Sequence, residues 1–230
     1  DKSEPDETGS AEGQEYETLK ATVWVSLAVY GVSRLKEATD NLSLVDINRA
    51  GEVFRRNKAG ELQPLESFPS EFYGRYSDRK LKNLTDLVGL GGWPCVSAAC
   101  KDVLQQFDLG RTSFYPIKVF QFDQKTPVPG EFYGLAFGET KQAFLPAESS
   151  GVRGRGYTEP FRQWRAKGGC KDGEIAVSEA ALGEGDLWID PKFHEGVFMS
   201  NALVKGLRAA KLAGLFRLRK CRVLQATSVS

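Results

Sequence analysis

Histidine is almost absent from this chain of 230 residues, with His194 as the only one. Ser-His-Asp chemistry needs an imidazole as general base, and His194 lies in Pro191-Lys192-Phe193-His194-Glu195-Gly196 with no G-x-S-x-G elbow anywhere in the chain. It reads as a solvent-exposed turn histidine. Cysteine is sparse too. Cys95, Cys100, Cys170 and Cys221 are too few for a disulfide framework at this length, and the one close pair, spaced C-x4-C, has no second pair or nearby histidine to complete a zinc site. Reduced, partly buried thiols are expected, with no metal and no cofactor. A phosphate cradle is missing as well: Gly89-Leu90-Gly91-Gly92 has neither the glycine spacing of a dinucleotide loop nor the ending of a P-loop, so it reads as a turn. Acidic residues are plentiful, but their spacing singles out no pair for glycoside hydrolysis. No catalytic residue is assigned.

An excess of charge of one sign is also lacking. Thirty-one basic residues stand against 30 acidic ones, a net charge of +1, so no whole-molecule field calls for a polyanion partner. The charge is nevertheless polarised, with an acidic stretch from Asp1 to Glu17 and an excess of Arg and Lys after about Gly151. No apolar run approaches the roughly 18–20 residues that span a bilayer, and the N-terminus lacks the basic-then-apolar order of a signal peptide. The chain reads as cytoplasmic with no membrane partner, although it begins at Asp1 rather than Met, which leaves open a leader removed earlier.

What is present is the composition of a folded globular protein, 41% hydrophobic and 27% charged. Residues 1–17 read as a flexible acidic arm and residues 18–83 as a β-rich region, in which Ala21 to Tyr30 is a buried strand and Leu42 to Phe68 forms short strands and turns. Lys80 to Leu87 reads as a short helix. Residues 84–230 hold a repeated unit. In its first copy Ser97 caps a helix carrying Val103, Leu104 and Phe107, Gly110 closes it, and Phe114 to Gln121 is a strand. In its second copy Ser200 caps a helix carrying Leu203, Leu207 and Ala210, Gly214 closes it, and Leu215 to Leu224 is a strand. Between them, Phe132 to Phe137 and Ala143 to Leu145 read as a central β-hairpin about Gly138-Glu139-Thr140-Lys141. The expected fold is α+β: two Ser-capped helix-plus-strand units and the hairpin around one aromatic core, preceded by an N-terminal β region.

Two basic features stand out. Arg153, Arg155 and Tyr157, followed by Arg162, Trp164 and Arg165, occupy a Gly- and Arg-rich stretch from Ser149 to Asp172 that reads as a long loop. Arg, Tyr and Trp suit both phosphate contact with base stacking and the hot spots of protein interfaces. The last strand carries Arg217, Arg219 and Arg222, and its alternation places Phe216 and Leu218 inward with the arginines solvated.

The motifs Asp86-Leu87-Val88-Gly89-Leu90-Gly91-Gly92-Trp93-Pro94 leading to Val96-Ser97, Phe114-Tyr115-Pro116-Ile117, Asp186-Leu187-Trp188-Ile189-Asp190, Val197-Phe198-Met199-Ser200 and Leu212-Ala213-Gly214-Leu215-Phe216 resemble those of bacterial immunity protein family 11, over about residues 84–225. These motifs are caps, turns and core aromatics, so no active site carries over. The resemblance implies a non-enzymatic antidote, found beside polymorphic toxins and type VI secretion effectors, that binds and occludes a cognate protein toxin encoded nearby. A nuclease is the first expectation for that toxin. Arg153, Arg155, Tyr157, Arg162, Trp164 and Arg165 are the candidate toxin contacts. The acidic arm, with Asp1, Glu4, Asp6, Glu7 and Glu12, would suit a basic nuclease cleft as a polyanion mimic or serve as a solubilising tail. A nucleic-acid-binding module using the Arg-rich stretch and the last strand is the alternative; it predicts strongly salt-dependent binding.

Overall fold

A computed structural model describes residues 21–31, 35–156 and 162–226, together with the backbone of residues 16–18. The acidic arm therefore lies outside the described residues except at its end, where Tyr16–Thr18 forms β1. The elements that follow are β2 (Val23–Ser26), β3 (Leu35–Lys36), β4 (Ala38–Asp40), α1 (Asn41–Val45), α2 (Ile47–Lys58) and β5 (Glu71–Gly74). Next come β6 (Leu87–Leu90), β7 (Trp93–Ser97), α3 (Ala98–Leu104), β8 (Ser113–Phe120) and β9 (Phe132–Ala136). The chain ends with β10 (Val152–Arg155), β11 (Gln163–Ala166), β12 (Ala176–Ser178), β13 (Leu187–Trp188), β14 (Val197–Ser200), α4 (Asn201–Ala209) and β15 (Leu218–Ala226).

The repeat expected from sequence is present and larger than its serine caps suggested. Ser97 Oγ accepts the Cys100 N–H and Ser200 Oγ accepts the Leu203 N–H, as N-caps do. Each cap serine is itself held by an aspartate that opens the unit. Ser97 bonds Asp86 and Ser200 bonds Asp186, through both the side chain and the main chain. Each unit thus reads Asp, strand, strand, capped helix, strand. In the first, β6 and β7 pair antiparallel and β9 slots between β7 and β8. In the second, β13 and β14 pair antiparallel and β2 slots between β14 and β15. The two four-strand orders, β6-β7-β9-β8 and β13-β14-β2-β15, are the same. Outer strands extend them: β3 flanks β6 and β5-β4 flank β8, while β1 and β12 both pair with β15.

Strand alternation divides the interior three ways rather than around the single aromatic core expected. Leu87, Val96, Leu135, Leu187, Val197 and Met199 face α3, α4 and one another in a layer shared by the two units. Their neighbours Val88, Cys95 and Phe132 turn to the far side of the first sheet, where they meet Val53 of α2 and Phe72. Trp188, Phe198, Val23 and Val25 turn to the far side of the second sheet and meet Phe144, Phe193 and Val152. Both sheets are covered on both faces, which is why their strands read as nearly continuous apolar runs. At the centre α3 and α4 meet where Gly206 lets the Phe107 ring approach: a Cβ there would lie 2.3 Å from Phe107 Cζ.

Several local expectations are corrected. Residues 41–58, expected as short strands and turns, are helical, because Asp40 caps α1 and Asp46 caps α2, and Ala50, Val53 and Asn57 put a narrow buried stripe on an otherwise charged helix. Lys80 to Asp86 is irregular rather than helical, with Asn83 at φ +54° and its main chain gripped at Leu81 by both ends of the Gln121 amide. The strand expected from Ala21 to Tyr30 is confined to Val23–Ser26. The central hairpin does not form between residues 132–137 and 143–145. Phe132–Ala136 pairs with β8 and β7 instead, and Phe144 bridges Val177. Gly214 does not close α4, which ends at Ala209, and Lys211 supplies the left-handed turn at φ +60°. The expected loop over residues 149–172 contains the two-stranded ribbon β10-β11. All four cysteines are buried and unpaired, and burial pushes the Cys100 thiol up to about 12.

Candidate functional site

The candidate contacts sit on the β10-β11 ribbon, which stands apart from the two large sheets. Its register opposes Val152 to Ala166, Arg153 to Arg165, Gly154 to Trp164 and Arg155 to Gln163. A two-residue period then gives the ribbon two faces. Val152, Trp164 and Ala166 pack into the cluster around Phe193 and Phe198. Arg153, Arg155, Arg165 and Gln163 share the other face.

Trp164 seats the ribbon. Its N–H donates to the Lys192 carbonyl at 2.8 Å, and its own carbonyl accepts the His194 N–H at 2.6 Å, so β11 is stapled to the turn at 190–196. The indole is half-buried with Arg162 5.5 Å from its ring centre. Sequence reasoning grouped Trp164 with the arginines as a contact; the structure puts its ring on the opposite face. Tyr157 lies outside the described residues.

The turn that receives the ribbon is fixed by Asp190. This carboxylate is 2% exposed and accepts the Ala143 and Phe144 N–H groups on one oxygen and the Lys192 N–H on the other. Burial raises its pKa against the opposing pull of those donors. Beyond it, His194 is half-buried rather than the exposed turn residue expected. Its Nε2 lies 2.7 Å from Arg155 Nη1 and 3.1 Å from Glu195 Oε1. One ring nitrogen cannot serve both. Because a guanidinium only donates, the ring accepts from Arg155 when Nε2 carries no proton and donates to Glu195 when it does. Glu195 also pairs with Lys58 of α2 at 3.0 Å, and the bond from His194, ahead of Lys58, holds its carboxyl down at about 2.

Between the ribbon, this turn and the start of β15 lies a cavity of about 460 Å³. Five basic side chains line it, Arg153, Arg165, Lys167, Arg217 and Arg219, against one carboxylate, Glu195. The structure thus brings Arg153 and Arg165 together with Arg217 and Arg219, which sequence reasoning had kept as a separate feature, and places Arg217 just before β15. Arg219 donates to the carbonyls of Cys170 and Leu218, and Arg222 to those of Gly173 and Glu148, so these arginines lash β15 to the segment before β12. That role was not legible, because carbonyl partners leave no trace in sequence. Arg219 is half-buried, where the alternation had placed it in solvent.

Among the described residues no group of three His, Cys, Asp or Glu side chains converges as a metal site. No helix among them is long and apolar enough to cross a membrane. The family model described as Immunity protein family (Imm11) matches residues 33–222, a span that takes in the first repeated unit, the ribbon and most of the second unit, whose inserted strand β2 lies before it. No curated protein matches the chain.

Proposed function

The chain belongs to the Imm11 immunity protein family, and from that premise we propose that it is a non-enzymatic antidote which binds its cognate toxin directly through the exposed face of the ribbon. The observation that supports this surface is its register. Arg153, Arg155 and Arg165 are presented side by side on a narrow insertion whose other face is anchored in the core. A ribbon anchored along one face has less ordering entropy to lose on binding than a free loop, and clustered arginines are typical interface anchors. Arg162 lies at its tip-proximal end, and Trp164 contributes by holding the ribbon in place. The toxin acts in the cytoplasm in this reading, belongs to the polymorphic or type VI secreted class, and is first sought among nucleases.

The test is co-expression with the product of the adjacent open reading frame, scoring growth rescue and then co-purification in moderately high salt. Rescue with a stable complex supports the antidote role, and the Arg155→Glu variant should weaken capture while melting as the parent does. A harmless or unbound neighbour removes that role. The competing nucleic-acid reading loses part of its support among the described residues, because Trp164 turns towards the core and Arg219 and Arg222 are engaged by main-chain carbonyls.

A further inference from the structure

Arg153 and Arg165 lie directly opposite each other across the ribbon. Like charges in that position destabilise an antiparallel pair. Relief would normally come from an acid nearby, yet among the described residues neither guanidinium has a carboxylate partner. Both line the 460 Å³ cavity with Lys167, Arg217 and Arg219. The one acid on its wall, Glu195, is already engaged by Lys58 and His194. Backbone strain gathers at the same place. Glu195 at φ +67° and Arg217 at φ +47° are two of the non-glycine residues held in the left-handed region, where glycine would be at lower cost. Repulsion and strain kept together at one concavity are costs to the fold that a ligand would offset.

Resting on the antidote reading, we infer that this cavity is an anion receptor that takes carboxylates from an Asp- or Glu-bearing segment of the captured protein. Opposed guanidiniums suit it, because each can donate two parallel bonds to a carboxylate, and a partly enclosed wall screens the pair less than open solvent does. The cations converge on one concavity of side-chain dimensions instead of running as a stripe, so the geometry fits a few carboxylates better than a nucleic-acid backbone. Enzymes that hold divalent metals for phosphoryl chemistry carry clustered carboxylates of this kind.

The experiment is calorimetric titration of the full chain at low salt with a hexaglutamate peptide, and separately with inorganic pyrophosphate and a short single-stranded DNA. Hexaglutamate should bind, and the R153Q/R165Q variant should weaken it by about tenfold or more, the loss of a charge-assisted hydrogen bond. The K80Q/K82Q variant, which removes two exposed cations elsewhere, should bind as the parent does. R153Q/R165Q should also melt no lower than the parent, because it relieves repulsion; a lower melting point would mean that the arginines serve the fold, and would overturn the inference. So would absent peptide binding, equal binding by R153Q/R165Q, or tighter binding of pyrophosphate or DNA than of peptide. The two readings fail separately. Hexaglutamate binding without capture of the neighbouring gene product removes the antidote role and keeps the anion receptor. Capture that R153Q/R165Q leaves intact keeps the antidote role and overturns the receptor.

Discussion

Replacing Asn57 with alanine should lower stability by about 2–4 kcal/mol while leaving the ribbon in place. Asn57 is fully buried at the end of α2. Its Oδ1 accepts the Phe137 N–H at 2.8 Å, and its Nδ2 donates to the Leu135 carbonyl at 2.9 Å, so one amide fastens α2 to the end of β9. In the alanine variant the Phe137 N–H loses its acceptor in a dry interior, at a cost of about 1–3 kcal/mol for an unsatisfied buried donor. The Leu135 carbonyl loses one bond but keeps a second lone pair, worth about another 1 kcal/mol. Against a total stability of about 5–15 kcal/mol for a domain, that is a large fraction. Urea unfolding followed by circular dichroism should show a lower midpoint with an unchanged slope, since the surface exposed on unfolding is the same.

Asn57→Asp separates the two bonds. The carboxylate still accepts from Phe137 but cannot donate to Leu135, and it buries a charge, so at neutral pH it should be less stable than the alanine variant. Burial raises the pKa of such a group in the folded state. The folded protein then binds the proton more tightly than the unfolded one, and stability should recover as pH falls from 8 towards 5. A loss below about 1 kcal/mol for Asn57→Ala, or an aspartate variant indifferent to pH, would refute the view that this amide ties α2 to the sheet.

Glu195→Gln tests the contact beside the cavity. The Glu195 carboxyl is held at about 2, below its usual 4.5, so its contribution is fully present above pH 4.5 and is lost as pH falls towards 2; the gap in urea midpoint between parent and Glu195→Gln should close over that window, and a gap independent of pH would argue against it. Asp190→Ala strips acceptors from three main-chain N–H groups and should cost about 3 kcal/mol or more by urea unfolding. A cost under about 1 kcal/mol would mean that the 190–196 turn holds itself. Gly206→Ala gains about 1 kcal/mol of helix propensity but drives a methyl into the Phe107 ring. The clash should win by about 1 kcal/mol, and adding Phe107→Ala should reverse the sign of the Gly206→Ala effect in a double-mutant cycle. Additivity in that cycle would show that the ring swings away freely.

The parts of the fold legible in sequence are those whose signal is local. Ser97 and Ser200 stand just before apolar stripes of helical period, and a cap acts only on the next three residues, so both could be read directly. The parts that misled are those settled by distant partners. Residues 143–145 have strand composition and follow a hairpin-like turn, but the edge they meet belongs to Val177, and both edges of β9 are taken by β7 and β8. The helix α2 was hidden by its own chemistry, since its buried stripe includes an asparagine whose partners lie 78 and 80 residues away. At the site, Arg153 and Arg165 could be chosen by residue type, but their direct opposition depends on ribbon register. Trp164 was assigned to the binding face because an indole near arginines fits either side of a ribbon, and only alternation with a known register sends it inward.

The duplication explains why the ribbon is where it is. The two units share one apolar layer, and every strand of the common order has an equivalent in the other unit. A surface held by both halves would be constrained twice, because any change that favoured a partner would also have to preserve the matched packing of α3 against α4. The ribbon has no equivalent in the first unit, whose far side is covered by α1 and α2 instead. It is attached through Val152, Trp164 and Ala166 to a core complete without its outer face, so that face can vary in charge at little cost to the fold. If partner specificity resides there, exchanging Arg153, Arg155, Gln163 and Arg165 as a set should change which protein is captured and leave urea stability within about 1 kcal/mol. Loss of folding in such exchanges would show that the ribbon's outer face belongs to the architecture after all.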